Sequence, residues 1–148
     1  KLSTRFESQV AWLPFFPGMT FEVFEKLLEN KNIRGVILST YGSGNAPDSE
    51  ALKDMLKRAI DRGVTIVNIT QCGHGGVKPE MYATSLMLTE CGVIPGGDMT
   101  NEAAITKLMI LLGKTDDQEE IKRSLTSDIR GELTSMSLTS PFRGTYLV

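Results

Sequence analysis

Val36-Ile37-Leu38-Ser39-Thr40-Tyr41-Gly42-Ser43-Gly44-Asn45-Ala46-Pro47 decides how the chain is read. The apolar, β-branched start predicts a buried strand continuing to Tyr41, the glycines predict a tight turn, and a helical period follows Pro47 directly. In that helix Leu52, Met55, Leu56, Ala59 and Ile60 recur at helical spacing, Pro47 stands where a first-turn proline is tolerated, and Gly63 suits the left-handed residue past the end. Strand, turn and helix in this order are the repeating step of a parallel α/β sheet.

The same step recurs on either side. Upstream, Gln9 to Phe16 is apolar and aromatic and stops at Pro17-Gly18, which predicts a buried strand. Phe24, Leu27 and Leu28 then mark a helix from Thr20 to about Asn30. Downstream, Val64 to Thr70 predicts a third buried strand, Gly73-His74-Gly75-Gly76 a loop, and Met81 to Cys91 a short helix stopped by Gly92. Val93-Ile94-Pro95 can be only a brief strand, because Pro95 cannot donate to a ladder.

A helix from Thr100 to Leu112 carries Ala104, Ile105, Leu108 and Leu112 in one stripe, with Gly113 as its expected stop. A last helix is expected to open at Thr115, whose spacing to Gln118 is that of a capping box; its sparse apolar residues Ile121 and Leu125 suit a surface position. The Ser- and Thr-rich stretch after Arg130 has no helical period. The expected organisation is one α/β domain over residues 1–134 and a tail over 135–148 that leaves it. The fold expected is a three-layer α/β/α sandwich with a small parallel sheet of about four strands, Rossmann-like or flavodoxin-like, joined by right-handed crossovers.

Composition bounds the function. A chain of 148 residues buries about 70% of the surface its unfolded form exposes, enough for one core. A net charge of -2 offers no basic excess to neutralise phosphates, so nucleic acid is not an expected partner. No apolar run approaches the ~20 residues that span a bilayer, and Lys1-Leu2-Ser3-Thr4-Arg5 lacks the apolar centre of a signal peptide, which points to a cytoplasmic protein with no membrane partner. The two cysteines, Cys72 and Cys91, are too few for a secreted disulfide scaffold. A start at Lys1 rather than Met suggests a piece of a longer chain.

The candidate chemistry is incomplete. Gly42-x-Gly44 lacks the third glycine of a dinucleotide fingerprint, where Pro47 stands, and no lysine makes the loop a P-loop. Asn45 reads either as a helix N-cap or as an amide presented to a polar ligand at the carboxyl end of a strand. Cys72 and His74 would need further ligands to bind zinc and a fixed base to make a nucleophile; no metal and no cofactor are expected. Ser43 lacks the G-x-S-x-G elbow. Asp98 and Glu102 read as an acid/base pair or as first-turn acids favoured by the helix dipole.

Four segments together resemble the carboxyl-terminal domain of cytosolic, type I L-asparaginases: Tyr41 to Pro47; Asp61-Arg62-Gly63-Val64 with Val67-Asn68 and Thr70-Gln71-Cys72; Gly92-Val93-Ile94; and Gly96-Gly97-Asp98-Met99-Thr100-Asn101-Glu102-Ala103. Arg130-Gly131-Glu132-Leu133 fits as well, and the resemblance runs over about residues 10–134. It implies hydrolysis of L-asparagine by an enzyme whose threonine nucleophile lies in an amino-terminal domain, so that no catalytic residue is expected in this chain. It implies assembly as homodimers or homotetramers, with Asn45 reaching a neighbouring subunit's substrate. It further implies a ligand or allosteric loop at Ser39, Asn45 and Cys72. Ser39 stands where the family's allosteric arginine would be, and a hydroxyl cannot replace a guanidinium as the bidentate partner of a carboxylate. The alternatives are the amidase subunit of a tRNA-dependent glutamine amidotransferase, which resembles asparaginases in this domain, and a stand-alone amino-acid-binding module.

Overall fold

The computed structural model describes residues 5–73, 76–77 and 83–134. His74, Met81 and the tail over 135–148 lie outside the described residues. Strands β1 (Val10–Pro14), β2 (Gly35–Thr40), β3 (Thr65–Thr70) and β4 (Ile94–Pro95) form one parallel sheet in the order β1-β2-β3-β4. Helices α1 (Phe21–Glu29), α2 (Glu50–Asp61) and α3 (Ala83–Glu90) are the crossovers, followed by α4 (Asn101–Lys114) and α5 (Gln118–Leu125).

A sequential strand order joined by crossovers of one hand puts every crossover on one face of the sheet. The packing bears this out. Phe24 and Leu28 of α1, Leu52, Met55 and Leu56 of α2, and Met87 and Leu88 of α3 bury with Val36, Leu38 and Ile66 in one core. The second core places Ala104, Leu108, Leu111 and Leu112 of α4 and Ile121 and Leu125 of α5 against Ile37, Val67, Ile69 and Ile94. The result is the expected three-layer sandwich. The order has no reversal, so no crevice opens where neighbouring crossovers part to opposite faces. Whatever the carboxyl ends of the strands present is built by their loops.

β2 and β3 are buried along their whole length, as parallel strands covered on both faces must be. β1 departs from the expected buried strand. It is an edge strand over Val10–Pro14, half-buried, with Trp12 48% exposed; of the aromatic run only Phe15 is in the core.

Three helix boundaries also differ from expectation. α2 begins at Glu50 with Ser49 as N-cap, its hydroxyl accepting from Leu52 N, so Pro47 lies before the helix rather than in its first turn. Gly113 does not stop α4, which continues to Lys114. A Cβ at Gly113 would fall 2.7–2.8 Å from the Arg5–Phe6 backbone, and the glycine serves that close approach. The expected capping box at Thr115 does not form. Gln118 is occupied elsewhere, accepting from Thr65 Oγ1 at 3.0 Å and donating to the Gly63 carbonyl, while Asp117 caps α5 by accepting from Glu119 N and Glu120 N. Gly63, by contrast, takes the positive φ expected past α2, and Gly92, expected only to stop α3, takes one too.

Leu108 sits centrally in the second core and packs on Gly35, where an added Cβ would fall 2.8 Å from Leu108 Cδ2. Leu108→Ala is expected to cost about 2–5 kcal/mol in a urea unfolding titration, by lost burial plus the cavity left under β2.

Candidate functional site

The carboxyl end of β2 turns back on itself at once. Tyr41 N donates to the Asn45 carbonyl at 2.9 Å and Asn45 N to the Tyr41 carbonyl at 2.7 Å, and Gly44 N shares that acceptor at 3.0 Å. Gly44 holds φ +104°, and a Cβ there would meet Val77 Cγ1 at 2.7 Å and Asn68 Nδ2 at 3.1 Å, so only glycine fits. Two side chains of β3 hold the turn from beneath. Asn68 Nδ2 donates to the Gly44 carbonyl at 3.0 Å while its Oδ1 accepts from Thr40 Oγ1 at 2.6 Å, and the Thr70 hydroxyl donates to the Gly42 carbonyl.

Asn45 therefore belongs to a locked turn, four positions before the residue that caps α2. The cap reading of Asn45 is corrected, since Ser49 does that work. The Asn45 side chain lies over its own turn, with Nδ2 3.7 Å from where a Cβ on Gly42 would be, and it is only partly buried.

Cys72 is exposed beside this turn, and its amide donates to Thr70 Oγ1 at 3.0 Å, so a single hydroxyl joins the Cys72 backbone to Gly42. Ser39 lies elsewhere. It is 1% exposed, and its hydroxyl accepts from Trp12 Nε1 at 2.6 Å and donates to Asn101 Oδ1 at 2.7 Å. By strand alternation it faces the α4 side with Ile37, whereas Thr40 and Asn68 face the α2 side with Leu38 and Ile66. Of Ser39, Asn45 and Cys72, Asn45 lies in the turn, the Cys72 backbone is tied to that turn through Thr70, and the Ser39 hydroxyl is directed to the opposite face. Ser43 is part of the same turn and half-buried.

The end of β4 closes the group. Gly96 N donates to the Asn68 carbonyl at 2.8 Å, and the Gly97 carbonyl accepts from Val77 N at 2.9 Å. Asp98 accepts from Thr134 N at 2.9 Å, and the Thr134 hydroxyl and amide lower the Asp98 carboxyl below its ordinary range. Asp98 precedes the α4 N-cap, Thr100, so Glu102 is the acid that stands in the first turn.

Behind this, Lys107 of α4 is buried. Its Nζ lies 2.6 Å from Glu132 Oε1 and donates to the carbonyls of Leu125, the last residue of α5, and Ser127 just beyond it. Burial alone would raise the Glu132 carboxyl. The Lys107 ammonium and the amides of Glu132, Arg130 and Ile129 outweigh it and lower the pKa from 4.5 to about 2.

Two surface depressions, of about 530 and 370 Å³, lie away from the turn. Arg5, Arg34 and Asp116 line the first, and Lys53, Lys57 and Cys91 the second. Burial raises the Cys91 thiol, which keeps it protonated. Among the described residues no three His, Cys, Asp or Glu side chains could hold a metal ion, and none of the helices is long and apolar enough to cross a membrane.

Thr40, Asn68, Thr70 and Lys107 carry this architecture, and the sequence pattern did not single them out. The available signal was polar side chains inside otherwise apolar strands and a helix stripe, since a buried polar group must find a partner.

A family profile described as the Glutaminase/Asparaginase C-terminal domain matches residues 9–125. L-asparaginase 1 of Escherichia coli K12 is 43% identical over 119 residues, spanning 80% of this chain and 35% of its own length. A glutamyl-tRNA(Gln) amidotransferase subunit of Methanopyrus kandleri is 38% identical over 133 residues, spanning 90% of this chain and 28% of its own. The structure of the thermostable L-asparaginase from Thermococcus kodakarensis superposes with a TM-score of 0.80 at 35% identity, over 88% of this chain and 39% of that one. The chain thus spans between about a fifth and about a third of the length of the curated relatives it matches.

A carboxyl held at about 2 contributes stability that is complete above pH 4.5 and is lost as the pH falls toward 2. Urea titrations over this window are expected to show a steep acid loss in the parent chain and a flatter one in Glu132→Gln, which starts from lower stability at pH 7.

Proposed function

From the premise that the chain belongs to the Glutaminase/Asparaginase C-terminal domain family, we propose that it is the carboxyl-terminal domain of an L-asparaginase, hydrolysing L-asparagine to L-aspartate and ammonia as part of a longer protein. In this reading the threonine nucleophile lies in an amino-terminal domain, and this chain supplies subunit-interface residues and the Asn45 carboxamide, which contacts substrate in a neighbouring subunit. The observation that carries it is the locked Tyr41–Asn45 turn, in which the backbone is fixed by three internal hydrogen bonds and two β3 side chains, with Asn45 only partly buried. A carboxamide can donate to a carboxylate and accept from an ammonium, as recognition of a small amino acid requires. Because the turn is built before substrate arrives, little ordering cost remains at binding.

A second reading is favoured by the similarity to the amidotransferase subunit over 90% of this chain. In it the same turn would serve an amidase subunit acting with a tRNA-bound partner. The net charge of -2 lends it no support, since phosphate contacts draw on basic surface.

Ammonia release from L-asparagine should be found with the full gene product and not with the 148-residue chain alone. Asn45→Ala in the full product is expected to lower kcat/KM by about 10-fold or more, the scale of a lost hydrogen bond to a charged group. Activity in the isolated chain, or an unchanged kcat/KM in the variant, would count against the assignment.

A further inference from the structure

The segment after α5 does not simply leave the domain. It meets the middle of α4 at Lys107 and arrives at the loop after β4. Glu132 pairs with buried Lys107 and accepts from the amides of Ile129 and Arg130, while Asp128 Oδ1 accepts from Gly131 N at 2.7 Å. The two residues that follow touch the site. A methyl group on Gly97 would fall 2.5 Å from Leu133 Cδ1, so Leu133 is seated on the Gly97 α-carbon, and Thr134 N is bonded to Asp98.

From Gly97 the contacts continue without a gap. Its carbonyl holds Val77 N, and the buried Val77 side chain rests on Gly44 just as Leu133 rests on Gly97. Gly76 packs equally closely on Gly97 and Asp98, where an added Cβ would fall 3.0 Å from their backbone. Steps of this kind, small residues under large ones with no slack, transmit displacement because packed interiors compress little.

We propose that residues 128–134 act as a strap that sets the position of the Tyr41–Asn45 turn, with Glu132 and Leu133 as positioning residues working through Gly97 and Val77. Glu132 anchors the strap to the rigid α4–α5 pair, and Leu133 delivers the contact. The consequence for catalysis rests on the Asn45 reading above; the mechanical coupling does not.

Amide hydrogen exchange by NMR on the 148-residue chain tests the coupling. Leu133→Ala removes the contact and keeps the Lys107–Glu132 pair. It is expected to speed exchange about 10-fold at Val77 and Asn45 and to leave the central amides Leu38 and Val67 unchanged, with Leu133→Met restoring protection. Faster exchange confined to 129–134, or a uniform rise across β2 and β3, would overturn the proposal. In the full gene product the same variant is expected to raise KM for L-asparagine several-fold with kcat within two-fold. Transmitted exchange with an unmoved KM would sink the functional half of the inference. An inactive parent would instead overturn the asparaginase reading and leave the exchange result to decide the coupling.

Discussion

The Asn68 carboxamide accepts from Thr40 and donates to the Gly44 carbonyl, and the Asn68 backbone carbonyl receives Gly96 N. One residue in the middle of the sheet thereby joins the ends of β2, β3 and β4. A carboxamide suits this place because it is donor and acceptor at once. An aspartate would lose the donation to Gly44, and a leucine would leave the Gly44 carbonyl without its side-chain donor in a dry interior and the Thr40 hydroxyl with the Ile69 carbonyl alone. Asn68 is 2% exposed, so water cannot stand in for either bond.

The geometry above the sheet follows from this constraint. With Gly44 drawn down to Asn68, the turn must be tight, a side chain at 44 is excluded by Val77, and Asn45 comes to the upper rim of the strand ends. The Thr70 hydroxyl repeats the device one step outward for Gly42 and Cys72. The polar side chains at the strand ends are therefore consumed in holding backbone. That division suits a domain that presents a fixed contact.

The Lys107–Glu132 pair is a second device of the same kind. Desolvating both charges costs several kcal/mol, offset here by carbonyl and amide partners on both ends of the pair. A hydrophobic pair could have filled the space at lower risk. What the charges add is direction, because the ammonium collects the carbonyls of Leu125 and Ser127 and the carboxylate collects the amides of Ile129 and Arg130. The chain beyond α5 is thereby turned toward Gly97.

Periodicity in the sequence was enough to place β2, α2, β3 and α4, because burial on one helix face or on both strand faces leaves a local pattern that no partner can alter. Gly63 was legible for a similar reason, since a left-handed residue past a helix is a local demand. The edge position of β1, the true cap of α5 and the run of α4 through Gly113 were not legible. Each depends on what a distant segment does: Trp12 reaching Ser39, Gln118 taken by Thr65, and Arg5–Phe6 crossing over Gly113. The candidate site divides in the same way. The sequence by itself determined the parallel α/β class and the turn bearing Asn45. Only the tertiary structure decided that Ser39 faces away from it, that Asn68 and Thr70 hold it down, and that Leu133 abuts the next loop. Hydrogen bonds and close contacts between segments 24 to 62 residues apart are set by strand order and register, which local pattern does not encode.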